Sequence, residues 1–171
     1  MRSRLPVIAA VSCFMAPVMA LEIPVVPQPH GTHWALANGV HLRYELSGTG
    51  TNTVVLLHEM STTLETWDYV VPALVGTHQV LRYDLRGWGL SERIKGPITL
   101  DDEVEDLRQL LLVLGIKGKV ALVGGAVGGA IALKFAAMHP DLTKGVAAIS
   151  PAAYMKDQLS RLDSAPTAAP T

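Results

Sequence analysis

Residues Leu122 to Leu133 read L-V-G-G-A-V-G-G-A-I-A-L: a strand, a sharp turn and the start of a helix. The frame is that of the G-x-S-x-G pattern, in which a strand bends abruptly into a helix and lifts a central Ser above the sheet edge. Gly124, Ala126 and Gly128 keep that spacing, but the central residue is Ala126. A methyl group cannot attack a carbonyl, so the frame of a nucleophilic site is present without its reactive atom.

The flanking sequence supplies the sheet that such a turn needs. Thr53 to His58 (T-V-V-L-L-H) is a continuous apolar run, as expected of a central strand buried on both faces. Gln79 to Tyr83 is a weaker run ending in Asp84, and Lys119 to Val123 and Gly145 to Ile149 are two more strands of the buried type. Ahead of them, His33 to Ser47 reads as two short strands around Asn38-Gly39, a dipeptide that accepts the positive φ angles of a tight hairpin.

Helices fill the intervals. Thr99 suits an N-cap, with Asp102 three residues on and acid from Asp101 to Glu103 where the helix dipole favours it. Leu100, Val104, Leu107, Leu111 and Leu114 then share one face, and Gly115 is a stop. Val127 to Met138 follows the turn, its Gly129, Ala130 and Ala132 permitting close approach to the sheet, and His139-Pro140 ends it. Alternating strands and helices predict an α/β class: a mostly parallel sheet flanked by helices, joined by right-handed crossovers.

Three motifs in order make the chain resemble the N-terminal half of an α/β-hydrolase fold protein. His58 opens a loop ending at Trp67 (H-E-M-S-T-T-L-E-T-W), Asp84 to Ser91 reads D-L-R-G-W-G-L-S, and Gly124 to Gly128 is the altered elbow. The resemblance runs from about the Asn38 hairpin to Ala153 and implies a fold truncated after about the sixth strand. It further implies an oxyanion hole from the backbone N–H groups of Met60 and Val127, the latter at a helix N-terminus where amides and dipole face developing negative charge. The family has Gly after the histidine, where this chain has Glu59. Turned into the site, its carboxylate would oppose an oxyanion; turned away, it is a solvated loop charge, the reading that the general exposure of Glu favours.

The family's acid and general-base His come after later strands. Beyond Ala126 the only histidine is His139, in a helix-terminal M-H-P-D segment, and no carboxylate stands at Ser150-Pro151. Asp84 and Arg86 read as braces of the loop beneath the pocket, His58 as a buttress of the oxyanion loop, and Ser91 as structural, since no imidazole is placed to activate it. Ser61, Thr62 and Thr63 line the pocket or cap a following helix. Trp67 reads as core. His30, His33, His41 and His78 have no metal-ligand spacing, and the glycines near Gly124 lack the spacing and partner acid of a dinucleotide site, so neither metal nor cofactor is expected.

A formal net charge of −1 and the lack of any Lys/Arg-rich stretch leave no electrostatic footprint for nucleic acid. Arg2 and Arg4 precede an uncharged run from Leu5 to Leu21, with Val18 and Ala20 at the small positions of a cleavage site. We read 1–20 as a signal peptide cleaved near Ala20 and the protein as exported, periplasmic or secreted; lipidation at Cys13 ranks second. Residues 21–153 are the partial hydrolase-like domain and 154–171 an irregular Pro/Ala/Thr tail. The strand Gly145 to Ile149 is expected to leave an exposed apolar edge, inviting self-association or a complementary chain. Two functions stay open: an enzyme acting on small esters, lactones or related carbonyl compounds without a covalent nucleophile, or a non-catalytic protein that binds a small ligand or a partner.

Overall fold

The computed structural model describes residues 32–152. The expected leader with Cys13, the expected tail and His30 lie outside the described residues. Six strands form one sheet in the order β1-β2-β4-β3-β5-β6. β1 (His33–Ala37) and β2 (Val40–Ser47) are an antiparallel hairpin, with Asn38 at φ 49° and Gly39 at φ 77° in its two-residue turn. β2 pairs antiparallel with β4 (Gln79–Tyr83). From there β4, β3 (Thr53–Leu57), β5 (Val120–Gly125) and β6 (Thr143–Ile149) are all parallel.

The sheet's two faces are covered unequally. Val55, Leu57, Leu81, Tyr83 and Leu122 point into the larger core, against α2 (Leu100–Val113) and α3 (Ala126–Met138). Val54, Leu56 and Val80 point to the other face, where Trp67 and Val71 meet them. Those two belong to a 3-10 turn, Leu64–Trp67, and a one-turn helix α1, Val71–Leu74. Neither short element shows in the hydrophobic periodicity, because each is too short to complete a repeat; Pro72, in the first turn of α1, is the one sequence signal for them.

Boundaries shift for identifiable reasons. β5 extends through both Gly124 and Gly125 because they pair with Leu57 and Ile149, so the paired glycines belong to the strand rather than to a loop. β6 starts two residues earlier than its apolar run, since Thr143 pairs with Val120 and Lys144 is the extra residue of an irregularity before Gly145. The expected cap of α2 forms in full: Thr99 Oγ1 accepts from Asp102 N (3.2 Å), and Asp102 Oδ2 accepts from Thr99 N (2.9 Å). Leu110 joins the buried face of that helix, and Gly115 closes it at φ 66°.

β6 pairs only with β5 among the described residues. Val146 follows Leu122 onto the covered face, whereas Gly145, Ala147 and Ile149 are exposed.

Candidate functional site

The carboxyl ends of β3, β4, β5 and β6 lie side by side, so the loops that follow them converge at one edge of the sheet. This is where α/β sheets place their ligands. Here the chain brings together His58 to Thr63, Asp84 to Ser91, Ala126 and Ser150 to Ala152.

The turn at Ala126 keeps the left-handed backbone of the elbow. Gly125 is extended (φ −97°, ψ 144°), Ala126 stands at φ 43°, and α3 runs on from it. An L-residue there carries about 1–2 kcal/mol of strain. The glycines explain why the turn closes so tightly. A Cβ on Gly128 would lie 2.6 Å from His58 O and 2.7 Å from Leu57 C, and a Cβ on Gly124 would press on the Gly128 carbonyl and lie 2.6 Å from Gly129 N. The first turn of α3 therefore rests directly on the end of β3. On its other side, Ala152 N donates to Ala126 O (2.9 Å), tying the segment after β6 to the elbow.

His58 is fully buried and locked at both nitrogens. Leu85 N–H donates to Nε2 (2.9 Å), which leaves the ring proton on Nδ1, and Nδ1 donates to Glu59 O (2.7 Å). Burial pushes this imidazole below its ordinary range, against the opposing pull of the Glu59 carbonyl, Asp84 and Glu65. A neutral ring with both nitrogens engaged has none left to take a proton from a nucleophile. Thr62 Oγ1 also donates to Glu59 O (2.9 Å), and Ser61 takes φ 67°, so the loop turns back sharply after Met60. Thr63 Oγ1 donates to Glu65 Oε2 (2.5 Å) and caps no backbone N–H.

Met60, in the loop after β3, is exposed, and Val127, in the first turn of α3, is half-buried. Glu59 is exposed, yet its side chain does not turn away from the elbow as a solvated charge would. Its Oε1 lies 2.7 Å and its Cγ 2.8 Å from where a Cβ of Gly125 would stand. Gly125 has no side chain, and that is the space Glu59 occupies.

Beneath the loop lies a dense polar bracket. Asp84 is fully buried; Oδ1 accepts from Leu64 N (2.8 Å), and Oδ2 accepts from Leu90 N (2.9 Å) and Arg43 NH1 (3.2 Å). Gly89, at φ 51°, has to lack a side chain because a Cβ would collide with that carboxyl group. Ser91 Oγ donates to Asp84 O (2.6 Å) and accepts from Arg43 N (2.9 Å), so its hydroxyl is committed within the bracket. Arg86 forks onto Asp106 of α2, with Nε to Oδ2 at 2.6 Å and NH2 on Oδ1, while Asn38 Nδ2 reaches the same Oδ1 (2.9 Å).

The charged partners in this network were invisible in the sequence. Arg43 bonds Glu65 (2.5 Å), and Arg82 bonds Glu45 (2.7 Å), Asp68 (2.5 Å) and Leu64 O (3.1 Å), so two arginines on neighbouring strands hold the 3-10 turn that follows the His58–Thr63 loop. Partial burial works against ionisation of Glu65, but the hydrogen bonds from Arg43 and Thr63 bring it down to about 2. Glu103 and Asp106 are buried on α2 although both read as ordinary helix acids. Burial pushes Glu103 up to about 8, with Asp106 adding to the rise and Arg86 opposing it. Alternation on β2 was the available signal: Arg43 and Glu45 alternate with Leu42, Tyr44 and Leu46, which marks a strand face that is polar and nonetheless buried.

His139 is not brought to the elbow. It caps the far end of α3, about 20 Å from Ala126 along the helix, with its ring 4.9 Å from Phe135. His41 bonds Glu92 at the hairpin, and His78 precedes β4, at the opposite edge of the sheet. No group of three His, Cys, Asp or Glu side chains suited to a metal ion occurs among the described residues.

Comparison with known proteins meets this geometry at the same motifs. The family model described as alpha/beta hydrolase fold matches residues 52–168. The chain belongs to the α/β-hydrolase fold family. It is 36% identical over 115 residues to a soluble epoxide hydrolase of Corynebacterium sp. (strain C12), covering 66% of this chain and 38% of that protein. Among solved structures, an enol-lactonase from Burkholderia xenovorans LB400 matches with a TM-score of 0.64 and 34% identity over 67% of this chain and 45% of that one. A thermophilic esterase from Thermogutta terrifontis matches with a TM-score of 0.66 and 28% identity, covering 71% of this chain and 46% of that one. The chain thus spans less than half the length of these relatives. Several of its named relatives are hydrolases, whereas one from Shewanella oneidensis is named a decarboxylase, and no helix of the described residues is long and apolar enough to cross a membrane.

Proposed function

We propose that this chain forms a binding site for a small ester, lactone or related carbonyl compound above Ala126, and that no acyl-enzyme forms at that residue. One observation carries the reading: the elbow keeps its left-handed turn and its glycine-tight seat on β3 while its central side chain is a methyl group. The ligand's carbonyl oxygen would lie between the amides of Met60 and Val127. Backbone amides do not depend on side-chain identity, so this half of the machinery is retained where the nucleophile is not. The alternative of hydrolysis through Ser91 is disfavoured because its hydroxyl is spent on Asp84 and Arg43. We further propose export of the protein after cleavage near Ala20.

The test is a titration of the isotopically labelled full chain with a small neutral ester and a matching methyl ketone, followed by amide resonances and intact mass. The expected result is a saturable shift at Met60 and Val127 with no covalent mass increase. An ester-derived adduct mapped to the elbow, or shifts confined to another part of the fold, would overturn the proposal.

A further inference from the structure

The pairing of Glu59 with Gly125 is the feature of this site that the retained elbow does not account for. Glu59 stands where the family has Gly, and the strand residue beside the elbow is a glycine whose missing side chain leaves room for it. A Cβ at Gly125 would lie 2.7 Å from Glu59 Oε1, 2.8 Å from Cγ and 3.2 Å from Cδ. Nothing in the backbone at Gly125 demands glycine, since φ −97° and ψ 144° suit any residue. The nearest atoms that a side chain there would meet are those of Glu59. The carboxylate is thereby laid against Gly125, the residue before Ala126.

Among the described residues, four cations around the site are committed elsewhere: Arg43 to Asp84 and Glu65, Arg82 to Glu45 and Asp68, Arg86 to Asp106, and Lys134 to Asp101. No ion pair involving Glu59 forms among them. A helix N-terminus with free amides ordinarily attracts anions. Here the attraction for a carbonyl oxygen's partial charge is kept, while a full negative charge on the ligand meets the Glu59 carboxylate, which forms no ion pair among the described residues.

We infer that Glu59 determines the charge class of the ligand: the site takes neutral or cationic carbonyl compounds and turns away those that carry a carboxylate. This inference rests on the proposed carbonyl site above Ala126 and adds to it the selection at its rim. A rim charge in contact with solvent is screened, so the expected discrimination is modest: about tenfold between cationic and anionic ligands of one shape at low salt, shrinking as salt is added. Discrimination of this kind works by penalising the wrong ligand as much as by attracting the right one.

The experiment compares three methyl ketones of similar size in the full chain: levulinate, its neutral methyl ester, and a quaternary-ammonium methyl ketone. Binding is read from the Ala126 and Val127 amide resonances. The wild type is expected to bind the ammonium ketone about tenfold more tightly than levulinate, with the methyl ester between them. Glu59→Gln should bring the three within about twofold of one another. Gly125→Ala supplies a second variant: its Cβ displaces the Glu59 side chain without removing the charge from the protein, and the ranking should narrow there too. A ranking that survives Glu59→Gln, or a wild type that prefers levulinate, overturns the inference. Should the ester shift these amides with no ranking by charge, the selection fails and the carbonyl site stands. Should no ketone shift them, both fail together.

Discussion

Replacing Gly128 by Ala should damage the protein far more than the addition of one methyl group suggests. The new Cβ would stand 2.6 Å from His58 O and 2.7 Å from Leu57 C, with Leu57 O closer still. All three are backbone atoms at the end of β3, and β3 is hydrogen-bonded on one side to β4 and on the other to β5, so the strand has nowhere to retreat. α3 must instead lift by about 1 Å. Overpacking of this kind costs about 1–3 kcal/mol, and rigid backbone on both sides puts Gly128→Ala near the top, about 3 kcal/mol. For a domain of this size each kcal/mol lowers Tm by roughly 4 °C, so the midpoint should drop by roughly 12 °C. Lifting α3 also draws the Val127 amide away from Met60, and ester binding should fall with the stability. Gly125→Ala is the control, because its conformation suits Ala and its Cβ meets only the flexible end of Glu59; its cost should stay within about 0.5 kcal/mol. Thermal unfolding followed by circular dichroism measures both. If Gly128→Ala melts with the wild type, or if the two variants lose equal stability, the close seat of α3 on β3 is not what holds the elbow.

Ala126→Ser should not yield meaningful esterase activity from this chain, since His58 has both nitrogens engaged and His139 lies at the far end of α3; a rise of several orders of magnitude in activated-ester turnover would reveal a base not placed here. Stability should fall as pH rises, because folded Glu103 holds its proton to about 8 whereas the unfolded residue loses it near 4.5. Its contribution is complete below the lower value and drains away up to the higher one, with a slope of up to about 1.4 kcal/mol per pH unit. Urea titrations across that range should show the slope in the wild type and a flatter profile in Glu103→Gln, and equal slopes would refute the assignment. The exposed Gly145, Ala147 and Ile149 on a strand paired on one side should make the chain self-associate, and light scattering from a clean, stable monomer would count against that. N-terminal sequencing of the exported product should begin at Leu21, whereas a mature protein that still starts at Met1 in the membrane fraction would sink the leader assignment.

Where the sequence was legible, it was legible for local reasons. Asn38-Gly39, Thr99 with Asp102, and Gly115 each carry their conformation in one or two residues, and each is where the reading placed it. The buried runs at Thr53 and Gln79 needed only their own apolarity. The elbow was legible because Gly124 and Gly128 are required by backbone contact, whatever stands between them. What escaped was polar and long-range. Arg43 and Asp84 are forty-one positions apart, Arg82 and Glu45 thirty-seven, and Asn38 and Asp106 sixty-eight. Periodicity scores a buried arginine as an exposed one, and no local pattern says which carboxylate will meet it. Glu59 escaped for a related reason: a general preference for exposure predicts how wet a side chain is, and not what it lies against.

The bracket beneath the loop also explains how the strained turn at Ala126 survives without a nucleophile to present. Left-handed strain persists only where its surroundings over-determine it, and here three constraints do so independently. Gly124 and Gly128 seat α3 on β3; Ala152 N–H holds the Ala126 carbonyl; and the Asp84 and Arg82 contacts at Leu64 hold the 3-10 turn that follows the His58–Thr63 loop, whose first residue α3 rests on. None of these uses the side chain at position 126. The elbow is therefore a property of backbone packing, and chemistry at its tip is a separate matter decided by one side chain. That separation is why the elbow's backbone is compatible with a residue that cannot attack a carbonyl, and why, in the site we propose, ligand choice is assigned to Glu59 and not to the methyl group of Ala126.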